Sequence, residues 1–245
     1  MSRDIEKYAK DYVNNDLSFE KILIEYRREK ILEFLNLYKP KSILEIGCGV
    51  DSIANYYTDF KSFTIVEPSK KFAFVAVKNI NDKIKIYVDF IENKINELKK
   101  QNFDFVILSS LLHEVQYPKE FLTKIASLCN ENTILHINVP NSDSFHLLWA
   151  YEAGLISKLN ELTSTAKKLQ QNTTFNLTKL VDFIEEHNLK IIKKGSYFIK
   201  PFNHSKMLHL INEKIIDKQL LDGLNKMTKY MPDLGCEIFI NCKIK

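Results

Sequence analysis

The sequence predicts an α/β sandwich built around a mostly parallel sheet, and three observations carry that expectation. Short apolar, β-branched runs alternate with helical patterns from residue 42 onward, an alternation that builds parallel sheets covered on both faces. The first run breaks into a turn with two glycines one residue apart, ILEIGCGVDSIANYY. The length of 245 residues, with 45% hydrophobic side chains, suffices for one substantial core.

In chain order, residues 17–37 place Phe19, Ile22, Leu23, Tyr26, Ile31, Phe34 and Leu35 at helical spacing, with Pro40 beyond as a stop. An amphipathic helix is expected there, and residues 1–40 are read as an N-terminal helical cap. SILEI, SFTIVE, KIKIYV, FDFVILS and TILHINV are strand candidates, with helices expected over 51–59, 69–79, 91–101 and 119–129. Past Pro140 the pattern changes: residues 142–171 are polar and helical with no intervening strand. Residues 142–176 are read as an inserted helical lid ahead of the C-terminal strands, dividing a main domain of 41–141 and 177–245. There a helix over 177–187, a strand KIIKKGSYFIK with a glycine break, a helix over 205–230 and a last strand CEIFINCKI are expected. The whole is a Rossmann-like three-layer sandwich.

Charge and composition narrow the function classes. The formal net charge is +4, and the lysines, including the pairs at 99–100, 167–168 and 193–194, are dispersed among acids. That argues against a nucleic-acid track. No apolar run reaches the roughly 20 residues of a membrane span, and MSRDIEKYAKDY is too polar for a signal peptide, so a cytoplasmic location is expected. The richness in Lys, Asn and Ile has the look of bacterial AT-rich coding. Cys48, Cys129, Cys236 and Cys242 lack disulfide-framework or zinc spacing and are read as reduced, packed thiols. No metal cluster is evident, and nothing fixes an oligomeric state.

The glycine turn carries the first chemistry. A strand entering such a bend and opening onto a helix aims backbone N–H groups at a ligand, with glycine permitting close approach. Ser52 stands where the dinucleotide fingerprint needs its third glycine, which disfavours a dehydrogenase. Asp51 is placed to cap the following helix. Glu67 ends SFTIVE, 18 residues after Gly49, where an acid on the next strand reaches ribose hydroxyls. Asp89 and Phe90 follow the third strand candidate, an acid and a ring suited to an adenine amino group and base face. Together these residues describe an adenosine pocket.

With Glu45, Gly47 and Gly49 forming ExGxG, the chain resembles class I S-adenosylmethionine-dependent methyltransferases over about residues 41–141. The resemblance implies S-adenosylmethionine as cofactor, Glu67 with Pro68 beside it at the ribose, Asp89 and Phe90 at adenine, and residues 109–113, from Ser109 to His113, beside the transferred methyl. VILSSLLHEVQYP, KEFLTKIASL and TILHINVPNSDSF are similar to the subgroup acting on small molecules. GSYFIKPFNHSKM and MPDLGCEIF look like methyltransferases of bacterial surface-polysaccharide pathways.

Candidate roles follow. His113, after the fourth strand, is the candidate general base. Arg27, on the first helix, is placed to meet the methionine carboxylate as a charge-assisted partner. Asn141, His146, Tyr197 and His204 are acceptor-site candidates, whereas His136 is read as core. The expected reaction is methyl transfer to an oxygen of a small molecule, such as a sugar or phosphorylated sugar of a surface polysaccharide. An RNA or protein methyltransferase, or a non-catalytic regulatory or scaffolding subunit, are the alternatives.

Overall fold

The computed structural model describes residue 5 and residues 18–161 and 171–245. The expectations for residues 1–17, apart from residue 5, and the lysine pair at 167–168 lie outside the described residues, as does 162–170 of the insertion. The chain runs α1 (Ser18–Tyr38), β1 (Ser42–Ile46), β2 (Ser62–Val66), α2 (Lys70–Val75), β3 (Ile84–Tyr87), α3 (Ile91–Leu98), β4 (Phe105–Ser109), α4 (Pro118–Ala126), β5 (Ile134–Pro140) and α5 (Phe145–Glu152). It continues with α6 (Leu177–Glu185), β6 (Leu189–Tyr197), α7 (His204–Asn212), α8 (Lys218–Lys226) and β7 (Glu237–Ile244).

All seven strands join one sheet in the order β3-β2-β1-β4-β5-β7-β6. The β1–β2, β1–β4, β2–β3 and β4–β5 pairs are parallel, and β7 is antiparallel to both β5 and β6. Side chains alternate between two apolar layers. Ile43, Phe63, Phe105 and Phe239 pack beneath α1, α7 and α8, with Phe19, Tyr26, Phe34, Met207 and Leu221 among their partners. Leu44, Val106, Leu135 and Ile240 pack under α3, α4 and α6, against Ile95, Leu122 and Ile184. Strands buried on both faces therefore read as continuous apolar runs. Each fully buried Leu, Ile or Phe contributes roughly 1.5–3 kcal/mol by leaving water.

α1 descends from the carboxyl edge of the sheet, where Phe19 lies 6.3 Å from Phe198, to the amino edge, where Tyr38 lies 6.3 Å from Phe105. The chain then turns at Pro40 into β1, placing the first turns of the helix over the edge where parallel α/β sheets bind ligands.

Several local expectations need correction. Residues 51–59 form only a 3₁₀ turn, Ile53–Asn55, because glycine-bend residues are tied to neighbouring segments rather than continuing as a helix. Ser52, not Asp51, caps that turn: its hydroxyl accepts from the Ala54 N–H at 3.1 Å. α2 stops at Val75, well short of residue 79. The helix expected over 205–230 is two, since Lys214 adopts φ +57° and Asp217 starts α8 by accepting from the Leu220 N–H at 2.9 Å. Gly195 does not break β6; it sits within the strand where a Cβ would meet Phe239 at 3.2 Å, and the irregularity falls between Ile191 and Lys193. Of the insertion, α5 is formed and Phe175 bridges to Asn141.

Candidate active site

The glycine bend leaves β1 at the carboxyl edge. Gly47 takes φ +75° while its N–H donates to the Val66 carbonyl at 2.9 Å, and a Cβ there would press on Leu111 at 3.2 Å. Gly49 takes φ +58°, and a Cβ would meet nothing within 4 Å. Its backbone thus faces open space that a ligand can approach closely. Beneath the bend, the buried Glu45 carboxylate accepts from the Ser52 hydroxyl and from the Ile53 N–H at 3.2 Å. Burial outweighs these bonds and pushes its carboxyl up to about 7. The outside of the bend is tied to α1, as Arg28 pairs with Asp51 at 2.7 Å and lies 3.9 Å over the Tyr56 ring.

Glu67 follows β2 and is buried, with one oxygen accepting from the Gly49 N–H at 3.2 Å and the other from the Ser69 N–H at 2.9 Å. Both bonds hold the carboxylate beside the glycine bend. Pro68, half-buried, lies between Glu67 and Ser69, which caps α2 by accepting from the Phe72 N–H at 3.3 Å. Asp89, one strand further out, accepts from the Phe90 N–H at 2.8 Å and the Asn93 amide at 2.7 Å. The Asn93 bond, with help from Lys94, holds its carboxyl below the ordinary range. Phe90 keeps 41% of its surface exposed beside it, a free ring face at the rim.

Beyond β4 the chain turns through Ser110 at φ +51°, a sparsely populated conformation for a residue with a Cβ. Asn138 of β5 supports that turn: its carbonyl oxygen accepts from the Ser110 N–H at 3.0 Å, and its amide donates to the Ser109 hydroxyl at 3.1 Å. Asn138 also meets His136 Nε2 at 3.1 Å, and His136 Nδ1 meets the Asn241 carbonyl oxygen at 2.6 Å. This assigns the proton to Nδ1, and burial pushes the His136 imidazole down to about 4. His113 is 2% exposed, with Nε2 3.9 Å from Glu114 Oε1. Its carbonyl accepts from the Asn172 and Thr173 N–H groups at 2.9 and 3.1 Å, so the far end of the insertion is laid over it.

A second cluster occupies the carboxyl edge at the other end of the sheet. Because β7 is antiparallel, its first residue, Glu237, lies opposite Pro140 of β5 and Tyr197 of β6. Glu237 is 2% exposed and receives Arg27 through two guanidinium nitrogens, Nε at 2.9 Å among them, together with the Tyr197 hydroxyl. Arg27 also pairs with Glu20 at 3.1 Å. Although burial works against its charge, Glu237 and Glu20 hold Arg27 ionised. Phe198 then takes φ +58° and its carbonyl accepts from Cys236 N–H at 2.8 Å. This kink puts Lys200, only 5% exposed, among Glu20, Cys236 and Glu237.

His204 opens α7 with its ring 5.3 Å from Phe19, and His146 of α5 meets the Ser144 hydroxyl at 2.9 Å. Burial, then the Lys200 charge, push these imidazoles down to about 3 and about 2 respectively, so both are neutral at pH 7. Asn141 secures the turn before β7, donating to the carbonyls of Asp233 at 2.9 Å and Gly235 at 2.8 Å. At Gly235 a Cβ would fall 2.5 Å from the Tyr197 carbonyl oxygen, so only glycine fits this crossing.

The structure therefore gathers Glu45, Gly47, Gly49, Glu67 and Pro68 around one bend, with Asp89 and Phe90 just past the end of β3 and Ser109 at the end of β4. Arg27 is not among them. It stands with Tyr197, His146 and His204 in the second cluster, its guanidinium committed to acids. Sequence reading missed Ser52, Arg28, Asn138, Lys200 and Glu237. A buried acid at the head of the apolar CEIFINCKI and a lysine within YFIKPF were the available signals, since buried charge demands a partner. The four cysteines are free, and no group of three potential metal ligands occurs among the described residues. No helix among them is long and apolar enough to cross a membrane.

Comparison with solved structures finds the same fold at low sequence identity. The chain is similar to magnesium protoporphyrin IX methyltransferase from Synechocystis with bound S-adenosylhomocysteine (SAH), at TM-score 0.60 and 11% identity, covering 100% of this chain and 95% of that one. It is similar to the plantazolicin methyltransferase BpumL, in complex with a monoazolic desmethylPZN analog and SAH, at 0.55 and 19%, covering 99% and 91%. A possible histamine N-methyltransferase from Thermotoga maritima matches at 0.54 and 17%, covering 93% and 98%. No curated protein matches the chain. Residues 19–194, running from α1 into β6, match the methyltransferase domain family, and the chain belongs to that family.

Proposed function

We propose that this protein transfers a methyl group from S-adenosylmethionine to an oxygen of a small molecule, with a sugar or phosphorylated sugar of a bacterial surface polysaccharide as the acceptor class. The observation that carries the reading is the glycine bend. Gly49 turns open backbone outward, the Glu67 carboxylate is held beside it, and Asp89 and Phe90 stand at the rim. These residues fit a nucleoside: Glu67 would accept the ribose hydroxyls, and Asp89 the adenine amino group beneath the Phe90 ring. Glu45 holds the bend from below through Ser52. The similar structures bound to SAH support the cofactor. Their names, from protoporphyrin to plantazolicin, favour discrete molecules over a nucleic-acid track.

The cofactor, when bound, supplies a methyl already activated on a sulfonium, so the protein's task is alignment and exclusion of water. In this reading the buried His113, whose carbonyl accepts from residues 172–173, would take the proton from a hydroxyl acceptor, with Glu114 nearby to stabilise the resulting imidazolium. His113→Asn should lower turnover about 10²–10⁴-fold while calorimetric SAH affinity holds. Near-normal single-turnover transfer would remove His113 from the chemistry, and a product methylated on nitrogen would replace the oxygen acceptor.

A further inference from the structure

The cluster at the end of β6 contains a lysine whose neighbouring acids, Glu20 and Glu237, are bonded to other groups. Lys200 is 5% exposed, and its ammonium forms no hydrogen bond or ion pair among the described residues. The nearby acids are turned elsewhere: Glu237 to Arg27 and the Tyr197 hydroxyl, Glu20 to Arg27. An ammonium brings three donors, and none of them is taken by a described side chain or carbonyl, so they stand open to a ligand. The backbone reaches this position only through Phe198 in a left-handed conformation. A strained bulky residue of this kind persists where the surroundings enforce it, here the Cys236 N–H, which donates to its carbonyl, and the Asn225 side chain, which accepts from its N–H at 3.1 Å. His204, its ring 5.3 Å from Phe19, and His146 of α5, a helix whose Trp149 ring lies 5.2 Å from Phe202, stand on segments packed beside Lys200 as neutral imidazoles able to donate.

We propose that Lys200 is the anion-binding residue of an acceptor subsite, holding a carboxylate or phosphate of the methyl acceptor with His146 and His204 beside it. This rests on the methyltransferase reading above and deepens it: the acceptor is a small anion-bearing molecule, anchored at the end of β6 while its hydroxyl reaches toward the end of β4. The subsite is separate from the nucleoside cradle, since β4, β5 and β7 lie between β1 and β6.

The test is calorimetric titration of the full chain, saturated with SAH, with sodium phosphate and separately with sodium acetate at ionic strength fixed by sodium chloride. Saturable binding of either anion by the unaltered protein is expected, at least about tenfold weaker in Lys200→Met and retained in Lys200→Arg. Preference for phosphate identifies a phosphoryl acceptor, and preference for acetate a carboxylate. No saturable binding of either anion, or equal binding by Lys200→Met, overturns the proposal. Should Lys200→Met not fold, acylation of Lys200 by acetic anhydride in the unaltered protein decides: protection by the bound anion but not by chloride supports the subsite, and equal labelling overturns it. Failure to bind SAH would instead strike the methyltransferase reading, and the anion titration would then be read without it.

Discussion

The two ends of the carboxyl edge hold their polar groups by different means. Around the glycine bend, acids are fixed by nearby backbone: Glu67 by the N–H groups of Gly49 and Ser69, Asp89 by that of Phe90, Glu45 by that of Ile53. At the end of β6, side chains hold side chains across great sequence distance, as Arg27 meets Glu237 210 positions away and Tyr26 meets Asp222 196 positions away. A cradle built on local backbone can keep its shape when its ligand leaves, whereas a charge cluster assembled from three distant segments depends on the whole fold. Under the proposed reading the first would serve the cofactor and the second the acceptor.

The contrast can be broken by mutation. Glu237→Ala leaves the buried Arg27 with Glu20 alone, and a loss of about 3–5 kcal/mol in urea unfolding is expected; a loss below about 1 kcal/mol would mean the cluster contributes no more than a surface pair.

Acid and base should also act oppositely on the two ends. Glu45, raised to about 7 by burial, binds a proton more readily folded than unfolded. Its contribution is therefore complete below the ordinary carboxylate value near 4.5 and disappears as pH climbs through 7, a fall on the order of 3 kcal/mol. His146 and His204, lowered to about 2 and about 3, contribute fully above pH 6.5 and lose that contribution as pH falls. Chemical unfolding across pH 4–8 should show Glu45→Gln with a shallower decline toward neutrality, and His204→Asn with a shallower decline toward acid. Parallel curves for the variants and the parent would remove both groups from the balance.

The smallest expected effect lies in the cradle. Glu67→Ala should weaken SAH binding by roughly 1–3 kcal/mol in calorimetry with the fold retained, since the Gly49 and Ser69 N–H groups it releases can turn to water. Unchanged affinity in a folded variant would place the ribose elsewhere.

How much of this was legible follows the same division. The seven strands, and the helices expected over 17–37, 91–101, 119–129 and 177–187, could be read because each is set by local periodicity. The places of Gly47, Gly49, Glu67 and Asp89 after successive strands could be read because their spacing follows the strand-turn-helix repeat. The length of the turn after Gly49 could not, because Ser52 spends its hydroxyl on Glu45 and its N–H on the Ala76 carbonyl, 2.9 Å away, holding the bend to its neighbours. Nor could Arg27: its helix and its exposure to the carboxyl edge follow from the sequence, but its partner is fixed only when the last strand returns antiparallel and brings Glu237 beside Pro140. Lys200 escaped for the same reason, since only the kink at Phe198 turns it inward.

Arg27 and Arg28 are consecutive on α1, yet one grips the last strand and the other the loop after the first. One turn of helix thus works as a yoke across the sheet. It cannot tilt toward either end without loading an ion pair at the other, so the spacing between the glycine bend and the far charge cluster is set by a single rigid element rather than by the loops that line them.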